Sequence, residues 1–324
     1  MKAGKQTTLR DHAAVSGIGI HSGLPATLTL FPAEADTGIV FVRSGPDGQP
    51  DREIRADVRA VTATEFATVL GDDAGPLCST AEHVLAALTG LGVDNAVIEI
   101  DGPEVPIMDG SAAPFVDAID RAGLATLAAP RRYIQVLKPV RVVKGDAYGE
   151  LRPNAEGFRV EVEIDFDHPL IGRQGYTLDV EPQGFRHELA RARTFGFMRD
   201  VAKLWNAGFA LGASFDNTLV ITENRVLNPE GLRFSDEFAR HKALDAIGDL
   251  TLAGAPLLGT YRSLRGGHKL NHAVLSALMS DPSAWALVDG RQVRPEVRQA
   301  APRRVRGHAE AAGVVVPAYG PDVS

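Results

Sequence analysis

A chain of 324 residues, 44% hydrophobic and 23% charged, has the length and composition of a globular protein of one or two domains with a substantial core. Its formal net charge of −7, with Lys and Arg spread along the sequence, argues against a nucleic-acid binder. The lone cysteine, Cys78, cannot form an intramolecular disulfide; together with the lack of an apolar leader or a run of about 18 apolar residues, this points to a cytoplasmic protein that does not span a membrane.

Alternation of apolar and polar residues predicts strands over 27–31, 38–43 and 66–70. A helix is expected over 80–88, ending near Gly90, with Ser79 and Glu82 spaced as a capping box at its start. A strand over 95–100 and a helix over 113–122 follow. The segment 128–132, with Pro130 and two arginines, is the best domain boundary. Beyond it, strands are expected near 133–143, 158–166 and 218–222, a long helix over 236–253 and another over 270–279. Ser235 is expected to cap the long helix, Asp236 and Glu237 to complement its dipole, and Gly254 and Pro256 to end it. Residues 302–324 lack usable periodicity and read as a mobile tail. Two halves that each run from strands into helices predict an α+β fold of two similar domains, 1–128 and 129–301.

The long helix carries the most informative chemistry. His241, Asp245 and Asp249 lie four residues apart and share one helical stripe. A His and an Asp one turn apart can reach a single metal ion, and an Asp one turn further on can orient a neighbouring group. Gly248 leaves room above the backbone on the same stripe. A polar face with one satisfied histidine is the plain alternative. The adjacent pair Glu82-His83 reads either as part of a helix cap or as a general base beside a metal ligand. The turn Arg265-Gly266-Gly267-His268 presents a histidine just before a helix, which by itself reads as a surface residue.

Taken together, STAEH (79–83), LGVDNAVIEIDGPEVPIMDGSAAPF (91–115), ARARTFGFMRD (190–200), EGLRFSDEFARHKALDAIGDL (230–250) and GGHKLNH (266–272), with GIGIHSG around His21, resemble the UDP-3-O-acyl-N-acetylglucosamine deacetylase family. The resemblance runs over about 7–279. It implies the two-domain α+β fold of ribosomal protein S5 domain 2 type, with the site at the domain interface. It also implies zinc-dependent release of acetate from UDP-3-O-(3-hydroxyacyl)-N-acetylglucosamine, the committed step of lipid A biosynthesis.

Carried over by position, the resemblance makes His83, His241 and Asp245 the ligands of one catalytic Zn²⁺. It makes Glu82 the general base, His268 the protonated acid, Asp249 the partner of that acid and Thr194 an oxyanion-stabilising hydroxyl. Lys242 and Phe195 match sugar contacts, Arg265 a diphosphate contact, and Asp165 and Phe166 a uracil-contacting pair. Ala147 departs from an expected phosphate-contacting lysine, and Lys144 is the nearby substitute. The apolar run 195–220 reads as core from its composition, whereas the resemblance implies a βαβ insert over 194–222 that forms an acyl passage lined by Val201 and Ala210. Cys78 is expected to be a small buried hydrophobe, and His12, His21, His168, His187 and His272 receive no ligand role. The implied partner is a small UDP-linked acylated glucosamine, with no nucleic acid and only transient contact with the inner-membrane surface. The alternatives are a zinc deacetylase of another N-acyl sugar and a catalytically silent binder of nucleotide sugars or lipid.

Overall fold

The computed structural model describes residues 4–44, 51–154 and 156–290. The tail expected over 302–324 lies outside the described residues. The architecture is mixed α+β, as expected.

Among the described residues the α-helices are α1 (Glu82–Leu91), α2 (Ala113–Ala122), the single turn α3 (Pro182–Gly184), the short α4 (Val201–Asn206), α5 (Glu237–Thr251) and α6 (His268–Met279). A five-stranded sheet runs in the order Ala13–Ile18, Pro25–Pro32, Ala96–Ile100, Ile39–Arg43, Arg52–Arg55. Neighbours are antiparallel except Ala96–Ile100 beside Ile39–Arg43, which are parallel. The second sheet contains the order Val140–Lys144, Ala147–Arg152, Leu257–Leu264, Phe158–Asp165, Arg173–Asp179, again antiparallel except for its third and fourth strands. Arg132–Val136 and Trp285–Asp289 extend that sheet to seven strands.

Inward and outward residues alternate along Pro25–Pro32 and Phe158–Asp165, as half-buried strands require. Helices α1 and α5 are instead buried almost all round, the signature of helices enclosed on every side. They pack on each other, and α5 also lies on Phe158–Asp165 and Arg173–Asp179. Gly248 makes that helix crossing tight: a Cβ there would fall 2.0 Å from the Glu82 carbonyl oxygen. Gly90, nearer the other end of α1, leaves the space filled by the Phe185 ring.

Several local expectations are corrected. The capping box at Ser79 does not form; Ala81 is the N-cap of α1 and makes no side-chain cap bond, while the Glu82 carboxylate accepts from the Thr68 backbone N–H instead. Ser235 does not cap α5 either: Asp236 holds the cap position, and its side chain accepts from Arg240 Nε at 2.6 Å. The strand expected over 66–70 is Val69–Asp72, because Phe66 adopts a left-handed φ of 63° that interrupts extended backbone. The strand expected over 133–143 is two, Arg132–Val136 and Val140–Lys144, and most of segment 128–132 is paired: Leu124–Pro130 runs antiparallel to Lys5–Leu9. Helix α6 begins at His268, so that histidine opens the helix rather than preceding it.

Candidate metal centre and active site

The helix crossing brings the start of α1 against the middle of α5. His83 from the first and His241 and Asp245 from the second are all buried, and their ligating atoms lie within 4.8 Å of one another. The Asp245 Oδ1 atom is 3.5 Å from His83 Nε2 and 3.3 Å from His241 Nε2. The His241 Nδ1 atom is 3.0 Å from the Ala192 carbonyl oxygen, so its N–H donates there and the Nε2 lone pair faces the cluster. Burial pushes His241 down to about 3, which keeps the imidazole neutral and able to ligate.

Burial opposes the charge on Asp245, but His241, Lys242 and His83 outweigh it and hold its carboxyl well below the usual range. Lys242 Nζ donates to Asp245 Oδ2 at 2.9 Å, leaving Oδ1 buried with no hydrogen-bond partner; His83 Nδ1 is likewise unpartnered. A buried carboxylate oxygen without a donor is costly. Two imidazoles and a carboxylate converging around that orphaned oxygen fit a divalent cation of the zinc type.

A second buried cluster lies alongside. The Nδ1 atom of His268 is 2.9 Å from Asp249 Oδ2, and its Nε2 is 3.7 Å from Glu82 Oε1. Burial disfavours the imidazolium, yet Asp249 and Glu82 outweigh it and raise His268 to about 10. Burial also pushes the Glu82 carboxyl up, against the pull of His268 and His83. The Glu82 carboxylate and the His268 imidazole thus face each other beside the His83, His241 and Asp245 cluster.

Both clusters open into a cavity of about 270 Å³. Its lining includes Glu82, His83, Thr194, Phe195, Lys242 and His268, together with Val201, Leu204 and Ala210. Phe195–Phe197 and Leu219–Ile221 form a parallel pair connected through α4. Thr194 is fixed on both backbone sides, donating to Gly110 O at 2.8 Å and accepting from Leu219 N at 2.8 Å. The preceding Arg193 is buried and bonded to Glu237 at the start of α5, which ties this segment to the helix that carries His241 and Asp245.

The expected substrate contacts do not all reach the cavity. Arg265, at a left-handed φ of 52°, donates to Asp165 at 2.9 Å, so these two pair with each other outside the lining. Phe166 stands edge-on to Phe195 with ring centres 5.8 Å apart. Ala147 and Lys144 face each other across a hairpin whose Asp146 lies 3.6 Å from Arg265. Cys78 is buried, and burial pushes its thiol up, as expected of an inert small hydrophobe.

Three polar residues went unnoticed in the sequence. Thr68 donates its N–H to Glu82 Oε2 at 3.0 Å and its hydroxyl to Asp249 Oδ1 at 2.5 Å. Asn271 donates to Asp249 Oδ2 at 2.8 Å and accepts from the Tyr261 hydroxyl at 2.5 Å. Buried Glu104 accepts from the backbone of His21 and Ser22 and from Thr80, binding the GIGIHSG loop to the approach of α1. Only Asn271 carried a signal, standing three residues after His268 on one helix face. Thr68 and Glu104 are brought in by loops with no informative spacing.

Comparison with known proteins agrees with this arrangement. The family model described as UDP-3-O-acyl N-acetylglycosamine deacetylase matches residues 6–280. A UDP-3-O-acyl-N-acetylglucosamine deacetylase of Brucella melitensis biotype 2 is 52% identical over 285 residues, covering 88% of this chain and 98% of the relative. The proteins of the same name from Brucella ovis and Brucella suis are each 51% identical over the same length and shares. With the match spanning both clusters, the chain belongs to the UDP-3-O-acyl-N-acetylglucosamine deacetylase family.

Proposed function

We propose that this protein is a zinc-dependent amidohydrolase that removes the N-acetyl group of UDP-3-O-(3-hydroxyacyl)-N-acetylglucosamine, releasing acetate and a free amine in lipid A biosynthesis. The observation that carries the reading is the pair of buried clusters on one cavity: a ligand set beside a base and an acid. A silent binder has no need of such an arrangement.

His83, His241 and Asp245 would hold one Zn²⁺. When bound, the ion supplies Lewis acidity toward the amide carbonyl and toward water. Glu82 takes the proton of the attacking water. The Thr194 hydroxyl donates to the developing oxyanion. His268 then delivers its Nε2 proton to the departing amine, which leaves poorly unless protonated. Asp249 holds the His268 Nδ1–H, so that Nε2 points toward Glu82 and the cavity. Lys242 sits over the Phe195 ring at 5.6 Å, a placement suited to a sugar beside the metal cluster. Val201, Leu204 and Ala210 would line the acyl passage. Arg265, Asp165 and Phe166 would meet the UDP group, with Lys144 in place of the lysine that Ala147 lacks.

The shared order and sense of the two five-strand arrays support a duplicated unit, with domains at 1–128 and 129–301, an insert over 194–222 and the site between the halves. Among the described residues no helix is long and apolar enough to cross a membrane. Exposed Trp205 and Leu211 flank cavity-lining Ala210, which supports transient contact of a cytoplasmic enzyme with the inner-membrane surface.

The test is acetate release from UDP-3-O-(3-hydroxyacyl)-N-acetylglucosamine by protein before and after stripping with a chelator, with zinc added back. Turnover lost on stripping and restored by zinc is expected. Full turnover in thoroughly demetallated protein would end this reading.

A further inference from the structure

We propose that Thr68 is a positioning residue for the proton transfers, fixing Asp249 through its hydroxyl and Glu82 through its backbone; the inference rests on the acid and base roles proposed above. Thr68 is buried and makes three bonds. Its N–H donates to Glu82 Oε2 at 3.0 Å, its hydroxyl donates to Asp249 Oδ1 at 2.5 Å, and its carbonyl accepts from Ala81 N at 3.2 Å, at the cap of α1. Among the described residues Thr68 is the one that hydrogen-bonds both Glu82 and Asp249; His268 bonds Asp249 and lies 3.7 Å from Glu82.

The hydroxyl decides the orientation of the acid. Asp249 Oδ2 receives both the His268 ring and the Asn271 amide, at 2.9 and 2.8 Å. Two bonds to one oxygen leave the carboxylate able to turn about its Cβ–Cγ bond. The Thr68 hydroxyl on Oδ1 closes that freedom, and the His268 ring is held with it. Because the same residue's backbone holds Glu82, the separation of base and acid is set through one short loop rather than through the two helices alone.

Thr68→Val keeps the branched shape and the backbone bonds and removes only the hydroxyl; Thr68→Ser restores it. In Thr68→Val, kcat is expected to fall about ten- to a hundredfold, the scale of a lost hydrogen bond to a charged group, with KM and zinc content unchanged. Thr68→Ser should recover most of the loss. A readout independent of turnover is the His268 Nδ1–H proton resonance, assigned by its disappearance in His268→Ala. It should shift or broaden in Thr68→Val and return in Thr68→Ser. An unmoved resonance, or a kcat equal to wild type alongside a lowered Tm, overturns the positioning role and leaves Thr68 as packing. A wild-type protein that releases no acetate, by contrast, strikes the functional reading itself, and the resonance then decides the Thr68–Asp249–His268 coupling on its own.

Discussion

At the residue scale, the proposed ligand set and the proposed proton-transfer pair should separate by mutation. His241→Ala should lose metal and turnover together, because a ligand whose Nε2 faces Asp245 is gone while its former acceptor, Ala192 O, cannot substitute. Metal analysis of the purified variant checks this; full zinc occupancy would remove His241 from the ligand set. Glu82→Ala should instead keep zinc and lose roughly 10²–10⁴-fold in kcat, the usual cost of a lost general base. The pH dependence follows from His268. Its raised value, about 10 against an ordinary 6.5, keeps the acid form present at neutral pH, and activity should decline only as pH rises through that value. The alkaline limb of kcat/KM is therefore expected to report His268, and it should vanish or move in His268→Ala. An identical limb in that variant would assign it to another group.

At the element scale, two contacts carry most of the positioning. The α1–α5 crossing depends on Gly248. Mid-helix Gly→Ala ordinarily gains about 1 kcal/mol. Here the new Cβ would meet the Glu82 carbonyl oxygen, a backbone atom that cannot yield cheaply. Gly248→Ala should reverse the usual sign, costing ~1–3 kcal/mol of stability and separating Glu82 and His83 from Asp245. Thermal melting and turnover measured together test it; a Tm at or above wild type would mean the helices tolerate a wider crossing. The other contact is α4 and its flanking strands against the cavity. Val201 lines it, so Val201→Phe should penalise long acyl substrates far more than short ones, since each excluded methylene forfeits about 0.8 kcal/mol. Equal losses for both chain lengths, with a lowered Tm, would make the segment ordinary core. Ala210 is a poorer place for the same test, because its φ of 57° strains any larger side chain.

At the scale of the whole molecule, the proposed metal cluster joins parts of the chain far apart in sequence, with His83 on α1 and His241 and Asp245 on α5. An ion that binds the folded state alone stabilises it by about 2.7 kcal/mol at a hundredfold excess over its Kd. Chelation should therefore lower the Tm of the wild-type protein by several degrees and leave that of His83→Ala nearly unmoved. Equal sensitivity in both would place the stabilising ion elsewhere.

The helical stripe of His241, Asp245 and Asp249 was legible because 3.6-residue periodicity is a local property that one segment declares unaided. So were the mixed α+β class, the extents of α1 and α2 to within about three residues, and the room left by Gly248. The resemblance in the motifs around Glu82, His83 and His268 then named the other members of the site. The errors have a common cause. Ser79 and Ser235 had the right spacing to cap helices, but Glu82 is engaged by Thr68, and Asp236 rather than Ser235 lies at the start of α5. Arg173–Asp179 was missed although its buried residues alternate, since Gly175 dilutes the pattern and only pairing with Phe158–Asp165 makes it a strand. Thr68 could not be read at all, being 181 residues from Asp249 and attached to it by a single hydroxyl. The sequence by itself thus determined which side chains are capable of the chemistry and which helix presents them. Only the tertiary structure decided that the two helices touch at Gly248, that His268 faces Glu82 at 3.7 Å, and that a threonine loop spans base and acid. Those are contacts between surfaces whose approach depends on the packing of the whole core, which no local periodicity encodes.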